Sequence, residues 1–397
     1  MTVTTTSGAL TQSGRIDAVT VASLTGASGI LHTGTTTVSD ANGAVRLVAP
    51  SGDVQQSGTV TSPFGVAFTA QGGSILHDGA TTAGIGGVVI FASGDITQSG
   101  GSIGATEGSI TLTAGGSITQ SAGTMAVSGT FTGLAISLIA NGTEADDGIF
   151  QSAAGTMSAT TGLGAAVQLE ALHDIGVAGR IEVTGSISSV TLAAATGSLT
   201  QSGTVSATTF TNLRAGAGLT NDGRIDAGVD TTLTAGTNLL NTGTVTAGTQ
   251  ASGGAGADLT NTGTITAGTT AAVTAGADLT NTGTITAGTT AAVTAAADLT
   301  NVGTIAAGTT AAVTAAAALT NTGTITGGDL AFPMATTGTL TQDGVVTGGN
   351  SVWLFARSGP LVHGGTTTAG SGGATIDAGT DIYRPEARSR PRATPSA

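Results

Sequence analysis

The chain has 397 residues with a formal net charge of −13, 66 glycines, no cysteine and no lysine, and only 8% of its residues are charged and 3% aromatic. The acidic charge argues against nucleic acid and anionic lipid as partners. No run of about 18 apolar residues occurs, which argues against a transmembrane helix.

The first 127 residues are predicted to form imperfect coils of a β-helix. Within them an apolar residue recurs at steps of 20–24 residues, beginning with Leu10, Ile30 and Val54. A fixed period of this size indicates stacked supersecondary units rather than a compact globule. Met1 to Thr4 lack the basic start and apolar run of a signal peptide, so none is expected in this sequence.

Residues 128–148 do not follow this period and are predicted to form an irregular insertion or an extra hairpin. Glu144, Asp146 and Asp147 lie in this segment. Carboxylate oxygens are ligands that Ca²⁺ prefers, so these three residues are a candidate calcium loop, with a solvated acidic loop as the alternative. Imperfect coils are predicted to resume over residues 149–214.

Residues 215–330 consist of near-perfect 20-residue repeats. In the copy from Leu259 to Asp278, apolar or small residues hold most odd positions and threonine holds most even positions. This alternation predicts strands with one buried and one exposed face, and the glycines at 263 and 268 permit corners between short strands. Three short strands per copy predict an all-β fold, a right-handed parallel β-helix (β-solenoid) with about 20–22 residues per coil.

Terminal coils and a tail follow the repeats. Residues 331–383 continue the apolar column through Leu340 and Leu361, which gives 17 coils in total. Residues 384–397 are rich in Arg and Pro, lack an apolar period and are predicted to be disordered. Without this tail, residues 1–383 hold 6 Arg against 22 Asp and Glu, so the predicted β-helix is more acidic than the whole chain.

A second column follows the apolar column two residues later. Asparagine occupies it in the perfect repeats, and glutamine or histidine occupies most of its other positions. Stacked amides can hydrogen-bond along the stacking axis, as Asn and Gln ladders do in cross-β structures. We therefore predict a structural ladder at one corner of the coils. Its asparagines are Asn221, Asn241, Asn261, Asn281, Asn301 and Asn321.

Recurrent sequence phrases give a resemblance to a known family. The G-x-[IL]-T-Q-S-G units (Gly116 to Ala122 and Gly197 to Gly203), the D-L-T-N-T-G-T-I units and the L-T-A-G phrases resemble the haemagglutinin-type repeats of filamentous haemagglutinins. They are also similar to the passenger domains of autotransporter adhesins. The resemblance covers about residues 8–383 and implies a β-helical shaft of a secreted or surface-displayed exoprotein of a Gram-negative bacterium, one that mediates cell or surface adhesion.

The resemblance also implies partners. These are an outer-membrane transporter and an unidentified receptor or glycan on a host cell or environmental surface, without direct insertion into a membrane. The secretion domain of the family, with its N-P-N-G-type motifs, is not found in this sequence. Export by a two-partner or a type V route is therefore implied by analogy only.

The four histidines were considered as metal or catalytic groups. His32, His77 and His363 belong to the second column, and His173 precedes Asp174. His32 and His77 are expected to lie two coils apart, about 10 Å, which is too far to share a metal ion. Neighbours on a strand point to opposite faces, which disfavours a catalytic pair at His173. We predict no metal, no cofactor and no catalytic residue.

Charged residues are scattered rather than clustered. An arginine and an acid two residues later share a strand face, so such pairs are predicted to be exposed ion pairs. Polysaccharide lyases and hydrolases with β-helical folds need clustered carboxylates and a base in a groove. We therefore predict that the protein is not an enzyme and keep polysaccharide cleavage as a disfavoured alternative. The three predicted pairs are Arg15–Asp17, Arg180–Glu182 and Arg224–Asp226.

Columns of threonine suggest a second function. A regular array of hydroxyl groups can reflect β-propensity and solubility alone, or it can bind a repetitive ligand such as ice or a glycan. The sequence thus leaves open an adhesin shaft, a solenoid that binds through its threonine face, and a fragment without a function of its own. One such column is Thr244, Thr264, Thr284, Thr304 and Thr324.

Overall fold

The computed structural model describes residues 1–384, which form β-strands and no helix. The strands belong to three parallel sheets, and each coil passes in order through sheet B, sheet C and sheet A. The strands form about 18 coils of about 21 residues each. The predicted all-β β-solenoid is therefore confirmed. The described residues divide into two compact units, Met1–Ala255 and the part of the chain from Gly256 onwards.

The first unit contains the coils with the most varied lengths. Its sheet A strands are Thr2–Thr5, Val21–Gly26, Ala44–Ala49, Gly65–Ala70, Gly87–Ala92, Ile110–Ala114, Thr132–Ala140, Gly164–Ala171, Ser188–Ala194, Phe210–Ala215, Asp230–Ala235 and Gln250–Ala255. Its sheet B strands are Leu10–Gln12, Ile30–His32, Val54–Gln56, Ile75–His77, Ile96–Gln98, Ile118–Gln120, Gly148–Gln151, Asp174–Val177, Leu199–Gln201, Leu219–Asn221 and Leu239–Asn241. Its sheet C strands are Arg15–Ala18, Thr35–Val38, Thr59–Ser62, Ala80–Ala83, Ser102–Thr106, Gly123–Gly129, Gly155–Thr161, Arg180–Thr184, Thr204–Ala207, Arg224–Ala227 and Thr244–Ala247.

The second unit contains most of the near-perfect repeats. Its sheet A strands are Thr270–Ala275, Thr290–Ala295, Thr310–Ala315, Leu330–Ala335, Ser351–Ala356 and Gly373–Ala378. Its sheet B strands are Leu259–Asn261, Leu279–Asn281, Leu299–Asn301, Leu319–Asn321, Leu340–Gln342, Leu361–His363 and Ile382–Tyr383. Its sheet C strands are Thr264–Ala267, Thr284–Ala287, Thr304–Ala307, Thr324–Gly327, Val345–Gly348 and Thr366–Ala369.

Within each unit, adjacent coils pair in register, so equivalent positions of the repeat lie side by side. Leu279 pairs with Leu259 and with Leu299, and Val293 pairs with Val273. In the near-perfect repeats, inward positions therefore mostly stack on a residue of the same type, and the interior is filled mainly by aliphatic side chains. In the copy from 259 to 278 the buried residues are Leu259, Asn261, Ile265, Ala267, Ala271, Val273 and Ala275.

In this copy the alternation of buried and exposed positions holds within the strands and fails at the corners between them. The odd-numbered Gly263, Thr269 and Ala277 lie between strands and are not buried. One corner requires glycine for a steric reason. A Cβ atom on Gly283 would lie 2.0 Å from the carbonyl oxygen of Gly263, and one on Gly303 would lie 2.0 Å from that of Gly283.

The structure differs from two predictions about segments, and a third prediction concerns residues beyond the described part of the chain. The predicted irregularity over residues 128–148 is wrong for Thr132–Ala140, a nine-residue strand that pairs in parallel with Ile110–Ala114 and Gly164–Ala171. Only residues 130–131 and 141–147 of this segment lie outside strands, and the register shift between Leu134 and Ile136 accommodates one extra residue. The count of 17 coils is one short, because Ile382 continues the apolar column beside Leu361. Except for Arg384, the predicted tail lies outside the described residues.

Candidate functional surfaces

The predicted amide column is buried and forms continuous hydrogen-bonded chains. In the second unit, Asn261 Nδ2 donates to Asn281 Oδ1 (2.8 Å), Asn281 donates to Asn301 (2.8 Å), and Asn301 donates to Asn321 (2.7 Å). Asn321 then donates to Gln342 Oε1 (2.8 Å). These side chains are fully buried. They bond along the stack and hold the coils together, because a buried amide without a partner would be costly.

The first unit contains shorter chains of the same kind. Gln120 Nε2 donates to Gln98 Oε1 (3.0 Å), and Gln151 Nε2 donates to Gln120 Oε1 (2.9 Å). Val177 occupies the next position of the column, between Gln151 and Gln201. Gln151 Oε1 and both amide atoms of Gln201 have no hydrogen-bond partner. On its other side Gln201 pairs with Asn221, whose Oδ1 also lacks a partner. An apolar residue in the column thus leaves buried polar atoms unsatisfied on both sides.

The column histidines bond sideways within their own coil. His32 Nε2 lies 2.9 Å from Thr36 Oγ1, and His77 Nε2 lies 2.9 Å from Thr81 Oγ1. The third column histidine makes the same contact, at 2.8 Å. In neighbouring coils without a column histidine, the residue that pairs with these threonines in sheet C is apolar. Val60, for example, pairs with both Thr36 and Thr81. The H-x-G-x-T pattern of these coils is a sequence signal of this contact that the sequence analysis missed.

Burial gives two of these imidazoles unusual acid–base properties. It lowers the pKa of His77 to about 4, an effect that the nearby Asp78 carboxylate partly opposes. Burial likewise lowers the pKa of His32. Desolvation disfavours the charged form, so the folded coils hold these imidazoles neutral. The strand of Gln56 lies between those of His32 and His77 and keeps the two imidazoles from sharing a ligand.

The remaining histidine has a different environment. His173 is half-buried in the turn before the strand Asp174–Val177, and its Nε2 is buried without a partner. The adjacent Asp174 carboxylate instead accepts a hydrogen bond from the backbone N–H of Ser198 at 2.7 Å. The structure therefore does not join His173 and Asp174 into an acid–base pair.

In the acidic loop of residues 141–147, the Asp147 carboxylate accepts hydrogen bonds from within the protein. Asp147 Oδ2 accepts a hydrogen bond from the backbone N–H of Glu144 at 2.9 Å, and the backbone N–H of Asp147 donates to the Glu144 carbonyl at 3.1 Å. Ser117 Oγ donates to Asp147 Oδ1 at 3.4 Å. Across residues 1–384, no three His, Asp or Glu side chains form a group that could hold a metal ion. The structure thus does not assemble Glu144, Asp146 and Asp147 into the candidate calcium site, because Asp147 closes the loop.

The predicted ion pairs are present on the surface. Arg15 Nε lies 2.6 Å from Asp17 Oδ2, and both side chains are more than half exposed. The pairs Arg180–Glu182 and Arg224–Asp226 have the same spacing and also involve exposed arginines. Each arginine is engaged by its own local acid. Such pairs are screened by solvent and contribute little to stability.

The threonine column is in register within the second unit. Thr264 pairs with Thr284, Thr284 with Thr304, and Thr304 with Thr324. The side chains are half-buried on the outer face of sheet C, and Val345 ends the row. The arrangement presents one hydroxyl per coil over four coils.

An aromatic groove on the outer face of sheet A was missed by the sequence analysis. It has a volume of about 530 Å³ and lies in the second unit. The lining residues are Phe332, Met334, Phe355, Arg357, Asp377, Ala378 and Gly379. The sequence contains a signal for this groove, namely large apolar residues at outward positions where the repeats have small or polar ones. Phe332 and Met334 pair with Ala312 and Thr314 of the preceding coil.

The fold and these surfaces define the class of the protein as a β-solenoid with a filled interior. The described residues contain no helix that is long and apolar enough to cross a membrane. Comparisons with family models, with curated proteins and with solved structures found no match for this chain. The β-solenoid class is therefore what the structure establishes.

Proposed function

We propose that this chain is a non-catalytic structural shaft of a secreted or surface-displayed bacterial adhesin or haemagglutinin-like exoprotein. The observation that carries the proposal is the interior of the coils. Aliphatic side chains and the amide column fill it in each unit. The architecture is suited to extending a surface through repetition, because each coil is stabilised mainly by its neighbours.

The charged residues support a non-catalytic role. Cleavage of a polysaccharide requires a pair of carboxylates, or a carboxylate with a base, that converge on one bond. The three ion-paired arginines each face an acid on their own strand, and the histidines of the amide column bond to threonine. We infer that these groups serve the surface and the stack rather than a reaction.

Two assays test this function. Beads coated with the purified protein are expected to adhere to host epithelial cells or to abiotic surfaces more strongly than beads coated with an unrelated acidic protein. The same protein is expected to release no products from a panel of neutral and acidic polysaccharides. Product formation that persists after further purification would overturn the non-catalytic assignment, and equal adhesion of both bead types would overturn the adhesive one.

Export is tested in the genome. We expect a signal and secretion segment in the same reading frame or an outer-membrane transporter gene close by, as the resemblance to haemagglutinin-type exoproteins implies. Neighbouring genes that encode only cytoplasmic enzymes, together with a protein found only inside cells, would contradict secretion.

The threonine column supports a second candidate, a solenoid that binds ice or a glycan through repeated hydroxyl groups. The supporting observation is the register of Thr264, Thr284, Thr304 and Thr324. Thermal hysteresis in freezing solutions, abolished by Thr284→Lys with Thr324→Lys, would favour this candidate. We expect no hysteresis in the unmodified protein.

A further inference from the structure

Three of the ten aromatic residues in the chain lie together on the outside of the second unit. The ring of Phe332 lies 6.1 Å from that of Trp353 and 5.7 Å from that of Phe355, measured between centroids. Trp353 and Phe355 are 6.4 Å apart. All three pairs are edge-to-face, with interplanar angles of 84°, 66° and 82°, a favourable arrangement that fixes the ring orientations.

The coil itself does not need these rings. Phe332 pairs with Ala312 of the preceding coil, and Met334 pairs with Thr314. Phe355 pairs in turn with Met334, one coil further along. Small residues therefore support the same strand geometry at the same outward positions. Trp353 is nevertheless 43% exposed, and its ring lies beside the half-buried rings of Phe332 and Phe355. Clustered exposed apolar groups of this kind indicate a binding surface.

The groove beside the rings combines apolar and polar walls. Phe332, Met334 and Phe355 form the apolar wall, and Arg357 and Asp377 supply one cation and one anion. Within residues 1–384, neither charged side chain forms an ion pair or a hydrogen bond, in contrast to the three arginines that pair locally. The volume of about 530 Å³ lies within the range of small-ligand sites.

We propose that this groove binds a neutral saccharide, as a short segment of a glycan chain. A pyranose ring has an apolar face of C–H groups that stacks on an aromatic ring, and its hydroxyl groups both donate and accept hydrogen bonds. The Arg357 guanidinium donates to a hydroxyl oxygen, and the Asp377 carboxylate accepts from a hydroxyl group. Their opposite charges cancel, so the site does not favour a strongly anionic or cationic ligand. This inference rests on the proposed adhesive function and names the ligand class for it.

The single tryptophan of the chain provides the readout. Trp353 contacts the groove aromatics, so its fluorescence reports on the site alone. We expect cellohexaose, maltohexaose or chitohexaose to change this fluorescence saturably. Because the ligand is neutral, raising the salt concentration to about 0.5 M should leave the affinity unchanged.

Matched variants test the role of the rings. Phe332→Ala combined with Phe355→Thr introduces the residue types of Ala312 and Thr314 and keeps Trp353 as the reporter. We expect this variant to bind the hexasaccharide at least about tenfold more weakly with unchanged urea unfolding. Phe91→Thr is the control, because exposed Phe91 lies between Thr69 and Thr113 and outside the groove.

Three outcomes would overturn the inference. The first is no fluorescence response to any of the three neutral hexasaccharides. The second is binding only to an anionic polysaccharide such as heparin, lost at high salt. The third is concentration-dependent self-association that the Phe332→Ala, Phe355→Thr variant abolishes, which would make a second copy of the chain the occupant. Bead adhesion that persists when saccharide binding fails would leave the adhesive function standing without this site.

Discussion

Two stretches of the amide column satisfy their buried polar groups in different ways. From Asn261 to Gln342, each side-chain amide donates to the next one along the stack. From His32 to His77, the column bonds within each coil instead: the imidazoles contact threonine, and Gln56 Nε2 donates to the carbonyl oxygen of Gly58 at 2.7 Å. His32 Nδ1, Gln56 Oε1 and His77 Nδ1 remain without partners.

The difference shows that an unbroken axial ladder requires an amide at the same position of every coil. An amide carries a donor and an acceptor on one short group, so identical amides in register can bond indefinitely along the axis. A neutral imidazole in this column turns its Nε2 towards its own coil. The axial chain accordingly stops between Gln342 and His363, and Gln342 Nε2 has no partner. We infer that the near-perfect repeats extend the ladder and that the variable coils replace it with local bonds.

The largest expected effect comes from removing one asparagine from the continuous ladder. Asn301→Ala removes the acceptor of Asn281 and the donor to Asn321. The change leaves Asn321 Oδ1 without its donor, leaves Asn281 Nδ2 only its longer contacts with the carbonyl oxygens of Gly283 (3.4 Å) and Thr304 (3.3 Å), and removes buried volume. We expect the free energy of unfolding to fall by about 3–5 kcal/mol. Urea unfolding followed by circular dichroism measures this. Thr300→Ala, on the outward side of the same strand, is the control, and an equal loss in both variants would contradict a special role for the ladder.

The next largest effect is a pH dependence of stability, which we expect from the coils that contain His32 and His77. Above pH 6.5 the His77 imidazole is neutral in both the folded and the unfolded state, so stability is fully present. As the pH falls towards the folded pKa of about 4, only the unfolded state takes up the proton, and stability is lost. The expected loss is on the order of 3 kcal/mol for this residue. His32 contributes in the same direction.

The control for this prediction copies an adjacent coil. His77→Gln with Thr81→Val reproduces the combination of Gln56 and Val60, which lie beside them in register. Urea unfolding of both proteins at pH 7 and pH 4.5 separates the histidine from the carboxylates common to both. If the two proteins lose the same stability on acidification, the buried imidazole is not the cause.

A smaller, stabilising effect is expected where the ladder is interrupted. Val177→Gln places an amide between Gln151 and Gln201, where Gln151 Oε1 and both amide atoms of Gln201 lack partners. The new bonds should raise the free energy of unfolding by about 1–2 kcal/mol. Val177→Leu is the control for added volume without an amide. A gain in Val177→Leu alone, or a loss in both variants, would show that packing rather than hydrogen bonding decides this position.

The smallest effect is expected at the surface ion pairs. Arg224→Thr with Asp226→Thr gives the residues of the following coil, Thr244 and Thr246. The stability should change by less than about 1 kcal/mol, because the pair is exposed to solvent. A larger loss that disappears at high salt would mean that the pair stabilises this coil electrostatically.

The class of fold and the inward columns can be predicted from the sequence alone. A 20-residue period with alternating apolar and threonine positions is compatible with parallel strands stacked in register. The even period keeps Leu259, Ile265 and Val273 on the same side in every copy. The column of amides could be predicted for the same reason, because its members are separated by whole coils.

The irregular positions and the groove depend instead on contacts between coils. The strand Thr132–Ala140 depends on pairing with two neighbouring coils, which compensates for its weak period. The contact of His77 with Thr81, and the placing of Phe332 beside Trp353 and in one groove with Asp377, depend on which corner and which face each residue occupies. The period of the sequence determines which residues stack on each other in successive coils. The groove, in contrast, is formed by outward side chains of different coils, and the turns between strands set the directions of those side chains.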